Sequence, residues 1–506
     1  MSETAFAESG TRLQNFLDRA GLRGFPWKTA IILYTISWGW LFIVRNSYWS
    51  DDWDTLKFPQ LSVFDFKSLG LAPWTSVVGQ LHSILGPGFL RILVFICFFT
   101  TGLTVFGISS QISTLALWQR KLGVLLFLLL PFNHIRVALM TFHYTSGILM
   151  FYLAWYLITA FKSKTIFCIG LVLFFLSFQM HSLLFLYLLP VTHFAFINQS
   201  NKSWHLRIKI ELIALIAVPL TYVVLRYFFW PEKMRYHNLV TSSVSSTTLF
   251  IVVALGGTYL IFFRRFVFSS KIRVSPLMLM AVGLFCSLLA LLPYLLAGFY
   301  EDRRVLPFQF MIDFVGRSEY RSRHLALQPL GFAVFLTGFV SLISRNVHWA
   351  KTCFLQATLL LCLFFNLIFG FEYWIGYSKQ EAVVEALQNF DTQRLSNNYQ
   401  VFDQAQSLNS QSLVWPLIWE KLIGVAFGAD VALNAKIESR GKCFPNSVSN
   451  FIIIKGPRSH AVAVINFFKK GSFGFDVQIG AMNNFCSSEM IRIKEFDSWP
   501  VVFFFR

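Results

Sequence analysis

From about residue 28 to residue 373 the chain is built of apolar runs separated by short polar breaks, and beyond that the pattern changes. Runs near 28–45, 89–112, 145–161, 210–228, 247–263, 276–299, 327–343 and 353–373 hold few or no charges. A helix rises about 1.5 Å per residue, so such runs approach the roughly 20 residues that cross a hydrocarbon core. Shorter runs near 122–132, 165–179 and 183–197 are interrupted by Pro131 and by Gln179, Met180, His181 and Ser182, as kinked or broken helices would be. Together these runs predict an all-α polytopic membrane bundle of about eleven transmembrane helices.

The polar breaks orient the bundle. Arg12, Arg19, Arg23 and Lys28 precede the first run, and every second break after it is basic: Arg120 and Lys121, Lys162 and Lys164, Lys202, Arg207 and Lys209, Arg264, Arg265, Lys271 and Arg273, then Arg345 and Lys351. The excess of Lys and Arg in short cytoplasmic loops puts this face in the cytoplasm, with a cytoplasmic segment at 1–27 and a transmembrane domain at 28–373. Residues 1–28 lack a cleavable apolar core, so no secretory signal is expected there. Leu13, Phe16, Leu17 and Ala20 give them one apolar stripe, suited to a surface helix or to a tail. The opposite face receives long loops at 46–88 and 300–326 and everything from Trp374 onward.

Residues 374–506 read as a small extracytoplasmic α+β domain. A helical stretch covers Lys379–Leu387, and Phe451–Ile454, Ala461–Phe468, Phe473–Ile479 and Val501–Phe505 are strand-like, with turn signals at Gly456, Pro457, Lys470 and Gly471.

Composition sharpens the class. Hydrophobic residues make up 55% of the 506 and charged ones only 13%, about half the share of a soluble domain. The net charge of +18 is spread between apolar runs and forms no basic helix or arm, which argues for topology and against nucleic acid. Of the seven cysteines, Cys97, Cys168, Cys286, Cys353 and Cys362 fall in apolar runs and read as packing residues. Cys443 and Cys486 lie in the C-terminal domain, where an oxidising compartment would permit a disulfide between them.

Polar residues collect on the expected outer face. Asp51, Asp52 and Asp54 follow the first run, and Glu301, Asp302, Arg303, Arg304, Arg317, Arg321 and Arg323 fill the late loop, with Asp313 and Glu319 beside them. Guanidinium groups offer planar pairs of N–H donors that match phosphate oxygens, so these arginines, with Lys233 and Arg235 on the same face, are candidates to grip a phosphate; the bland alternative is a solvated loop of internal ion pairs. A carboxylate at Asp51 or Asp52 can accept a proton from a hydroxyl or hold a divalent cation, or else simply cap the first span. His82, His134, His143 and His181, each alone, are ordinary hydrogen-bonded side chains, and no zinc or nucleotide-phosphate motif accompanies them.

Ser50, Asp51, Asp52, Trp53 and Asp54 in the first outer loop, short broken middle helices, an Arg-rich late loop and an extracytoplasmic C-terminal domain together resemble the GT-C superfamily of membrane glycosyltransferases. The likeness covers most of the chain as architecture and few residues as motif; the late loop and the C-terminal domain match no particular member residue by residue. It implies sugar transfer from a polyprenyl-phosphate donor to a glycan or lipid acceptor at the periplasmic face of a bacterial inner membrane. An early-loop aspartate is implicated in catalysis in that superfamily, which carries over to Asp51 or Asp52, with Asp54, the late-loop acids and the arginines around the substrates. Two other functions fit the same layout: an O-antigen polymerase or ligase using a lipid diphosphate donor, and a transporter or flippase for a lipid-linked sugar. The few charges inside the apolar runs count against ion-coupled transport.

Overall fold

The computed structural model describes residues 21–47, 49, 74, 76–132, 134–138, 142–199, 206–229, 275–296, 325–343, 348–389, 399–403, 449–457 and 459–482. The apolar run near 247–263 and the N-terminal stripe of Leu13, Phe16, Leu17 and Ala20 lie outside these residues. The described chain is mostly helical and divides into two compact units, Met1–Gly370 and Phe371–Arg506.

The first unit begins with α1 (Trp27–Trp38) and α2 (Trp40–Ile43), which divide the first apolar run at Gly39. Next come α3 (Ser76–Ser110), α4 (Leu117–Leu129), a single 3-10 turn (His134–Val137) and α5 (Phe142–Ala160). Then follow α6 (Lys164–Ser177), α7 (Leu183–Leu186), α8 (Leu188–Gln199), α9 (Leu206–Phe229), α10 (Pro276–Leu296) and α11 (Gln328–Ile343). The last, α12 (His348–Gln388), is 41 residues long, and the boundary between the two units falls within it. The helical stretch at Lys379–Leu387 is therefore the continuation of the last apolar run, near 353–373, and not a separate element.

Four segments, Ile84–Ser110, Leu206–Phe229, Pro276–Pro293 and Thr352–Gln388, are long and apolar enough to cross a membrane; Lys164–Ser177, Leu183–Ala195 and Gln328–Ile343 are apolar but shorter. Helix α9 shows what such a segment does with its side chains. Ile208, Leu215 and Tyr222, seven residues apart, form a narrow buried seam, while Ile210, Ile213 and Leu220 are well exposed. An apolar helix with apolar residues on its exposed sides suits a lipid surround.

Polar side chains inside the bundle satisfy backbone groups that helix ends leave open. The last carbonyls of α4 lack intrahelical partners; Leu128 O accepts from Trp38 Nε1 at 3.1 Å and Leu129 O from Asn366 Nδ2 at 2.7 Å. In α3 the Gly86–Pro87 pair breaks the helix, with Gly86 at φ 74°, a conformation open to glycine and followed by a residue without an N–H. Helices α10 and α11 approach through Gly283, Gly331 and Gly338: a Cβ on Gly338 would sit 2.7 Å from the Met280 nitrogen and 2.8 Å from the Pro276 oxygen. Small residues let two backbones touch, which is how helices associate when no hydrophobic force separates them from lipid.

In the second unit β2 (Ser449–Lys455) is the central strand, parallel to β1 (Tyr399–Asp403) and antiparallel to β3 (Asp476–Met482), with Ile452 opposite both Val401 and Ile479. Residues Ala461–Phe468, expected as a strand, form α13 (His460–Lys470). Ser459 caps it by accepting from the Val462 N–H at 3.3 Å, and Gly471 ends it in the left-handed conformation at φ 72°. Ala463 on α13, Ile375 on α12 and Phe473 form a buried cluster, with Phe467 stacked 4.9 Å from Phe473. Val501–Phe505 lies outside the described residues.

Candidate functional site

Two cations with almost no exposed surface sit at the end of the first unit where α2 finishes, the Ser47 end. Arg91 is 0% exposed and Arg136 is 1% exposed. Arg91 belongs to α3, one turn past the Gly86–Pro87 break. Its Nε donates to Val137 O at 3.0 Å, its Nη1 to Arg45 O and its Nη2 to Ser47 O. One guanidinium thus ties the chain leaving α2 to the 3-10 turn that follows α4. Ser47 is itself buried; its hydroxyl donates to Val44 O at 2.7 Å and accepts from Trp49 Nε1.

Arg136, in the 3-10 turn, lies between two aromatic faces. Its Cζ is 3.7 Å from the Trp38 ring centroid and 3.8 Å from that of Phe98, and its Nη2 donates to Phe132 O at 3.0 Å. The rings attract the cation through their quadrupoles. Burial pushes the guanidinium down to about 10, partly opposed by Tyr34, so Arg136 keeps its charge at neutral pH. Two buried positive charges in a low-dielectric setting favour an anion nearby, be it a carboxylate or a phosphate.

A second polar group lies where α5, α6, α7 and α9 meet. Gln179 Nε2 donates to His143 O at 2.8 Å, and the His181 ring lies 6.0 Å from that of Tyr222. His181 Nε2 is buried with no hydrogen-bond partner. Burial first, then the positive charge of Arg226 and the neighbouring His143, pushes its imidazole down to about 3, so it is neutral. Trp74 docks on the same region, its Nε1 donating to Leu176 O at 3.2 Å and its ring packing against Phe175 and Tyr222. Of the stretch expected as a loop at 46–88, Ser47, Trp49 and Trp74 are held by these bonds, and residues 76–88 belong to α3 instead.

Asp51, Asp52, Asp54, Lys233, Arg235, Glu301, Asp302, Arg303, Arg304, Arg317, Arg321 and Arg323 all lie outside the described residues, as do Cys443 and Cys486. Cys97, Cys168, Cys286, Cys353 and Cys362 are free thiols, Cys286 and Cys362 buried, Cys168 and Cys353 exposed. Among the described residues no group of three or more His, Cys, Asp or Glu is placed to hold a metal ion. Arg91 and Arg136 were not among the sequence candidates, although one signal pointed to the first: a lone arginine inside an apolar run is a functional or structural marker by default. Compared with protein-family models, with curated proteins and with solved structures, the chain matches none.

Proposed function

We propose that this chain is a membrane glycosyltransferase that moves a sugar from a polyprenyl-phosphate donor to a glycan or lipid acceptor, with Asp51 or Asp52 as the base. In this reading about eleven helices cross a bacterial inner membrane, the Ser47 end and the C-terminal residues face the periplasm, and the N-terminus is cytoplasmic. The observation that carries it is the Arg91 clamp: a fully buried guanidinium holds the Arg45 and Ser47 carbonyls, only four residues before Asp51 in the chain. A catalytic acid on a loop works best when its support is rigid. Arg136, kept charged between Trp38 and Phe98, contributes a positive field at the same end.

The chemistry needs little more. The leaving group is already a phosphate, whose charge arginines stabilise without protonating it. The enzyme then needs a base opposite that phosphate to take the proton as the acceptor hydroxyl attacks C1 of the sugar, inverting its configuration. Arg303, Arg304, Arg317, Arg321 and Arg323 are assigned to the donor phosphate, with Lys233 and Arg235; Asp54, Glu301 and Asp302 are assigned to acceptor hydroxyls or a divalent cation. Ion-coupled transport is disfavoured because few charged residues lie inside the apolar runs, and Arg91, one of them, holds backbone carbonyls.

The test uses purified protein in detergent with isoprenyl-phosphate hexoses carrying a labelled sugar. Asp51→Asn and Asp52→Asn, made separately and folded, should differ, with release of isoprenyl phosphate falling by ~10²-fold or more in the variant lacking the base. Parental rates in both would remove these residues from the chemistry and make Glu301 and Asp302 the next acids to change.

A further inference from the structure

A cavity of about 130 Å³ lies between α3, α4, α5, α8, α10 and α11, far along the bundle from the Ser47 end. Its walls are chiefly aliphatic, among them Val105, Val282 and Ala333, and it reaches the turn between α3 and α4 at Ile112 and Leu115. Among its polar side chains, Ser109, Gln119, Arg120 and Thr337 already hydrogen-bond within the protein, whereas Tyr152 and His193, each only 2% exposed, keep a polar atom uncommitted.

Their chemistry is fixed by one hydrogen bond. Trp155 Nε1 lies 2.9 Å from His193 Nδ1. Indole can only donate, so Nδ1 accepts and the imidazole proton sits on Nε2. Among the described residues neither that Nε2–H nor the Tyr152 hydroxyl has a hydrogen-bond partner, and neither atom is sealed from the cavity. A wholly hydrocarbon occupant would leave both groups unsatisfied, at about 1–3 kcal/mol apiece. Water in turn needs 2–4 polar partners per molecule. The cavity has the volume of roughly four waters at ~30 Å³ each, more than its few uncommitted polar groups can satisfy.

The geometry points to a binding site for a compact, mostly apolar molecule bearing one acceptor oxygen, a hydroxyl or carbonyl, that receives the His193 Nε2–H and pairs with the Tyr152 hydroxyl. A dry cavity of about 150 Å³ holds a benzene ring, so a single ring with a short polar substituent is the size that fits. This site stands apart from the glycosyl-transfer reading and does not depend on it.

The experiment titrates 4-fluorobenzyl alcohol and 4-fluorotoluene into the purified full chain in detergent and follows each by ¹⁹F NMR. The alcohol should bind saturably and about 2–10-fold more tightly than the toluene, the range of one neutral hydrogen bond. Tyr152→Phe and His193→Phe should bring the alcohol down to the level of the toluene, and Ala333→Leu, which fills the space, should abolish saturable binding of both. Two substitutions on different helices keep the test decisive if one of them fails to fold. Equal affinities in the parent, alcohol binding unchanged in both Phe variants, or signals identical in the parent and Ala333→Leu would each overturn the proposal, the last marking detergent partition alone. Absence of saturable binding would mark a hydrated packing gap and overturn it equally.

Discussion

A guanidinium with no exposed surface must find its acceptors inside the fold, and Arg91 finds three of them in backbone carbonyls from two separate stretches of chain. Replacing it by Ala strands those carbonyls and removes a cross-link, which should destabilise the protein by about 1–3 kcal/mol for each carbonyl left unsatisfied. Arg91→Lys should recover little, since an ammonium cannot address three carbonyls through a planar fork. Thermal melts of the three forms in one detergent check this, and a Lys variant as stable as the parent would contradict it. His181 gives a prediction of opposite character. Its folded-state value of about 3 lies below the ordinary 6.5, so between those pH values the unfolded chain binds a proton that the folded chain does not. The stability due to the neutral imidazole is full above about pH 6.5 and is lost as pH falls toward 3. The melting temperature of the parent should therefore drop more steeply from pH 7 to pH 4 than that of His181→Phe; equal slopes would mean that His181 does not titrate as its surroundings require.

Among the elements, α10 and α11 are joined with least tolerance. A Cβ on Gly331 would meet the Ser287 nitrogen at 2.5 Å, and backbone atoms, unlike the tip of a side chain, cannot swing aside. Gly331→Leu should cost at least the ~1–3 kcal/mol of ordinary overpacking, with the loss visible as a lower melting temperature, whereas Leu277→Ala, at an exposed position on α10, should change it little. Matching melting temperatures for Gly331→Leu and Leu277→Ala would place the close approach elsewhere. Elements of this kind were largely legible in the sequence, because a long uncharged run has few alternatives in a chain of this composition. The second unit was less so. Ala461–Phe468 is apolar throughout its length, and an unbroken run cannot be told as strand or helix by periodicity alone. Its ends carried the answer: Ser459 and Gly471 are an N-cap and a left-handed C-terminal glycine, set 12 residues apart.

For the whole molecule, the positive-inside pattern predicts a threading that labelling can check. Single cysteines near Lys164 and Lys271, in a chain freed of its native thiols, should react only from the cytoplasm, and those near Asp52, Arg317 and Lys436 only from the opposite side. Labelling of the Lys436 position from the cytoplasm would reverse the placement of the C-terminal residues. The candidate site was legible in part. The loop acids stand out in the sequence but lie outside the described residues, whereas Arg91 and Arg136 matter through partners far off in sequence, the Ser47 oxygen and the Trp38 ring, that no spacing rule connects to them. The Arg91 clamp also bears on how the chain is made. An arginine in a crossing helix opposes insertion, by up to about 2.5–3.5 kcal/mol at the helix centre and less toward its ends, and Arg91 lies toward one end of Ile84–Ser110, a segment apolar enough to cross. Its acceptors at Arg45 and Ser47 are synthesised before it, and Val137 only 46 residues after it. The ribosome therefore delivers the Arg45 and Ser47 carbonyls in advance, so the first helical hairpin can offset its own insertion penalty as it emerges, and the Val137 bond closes once α4 has been threaded.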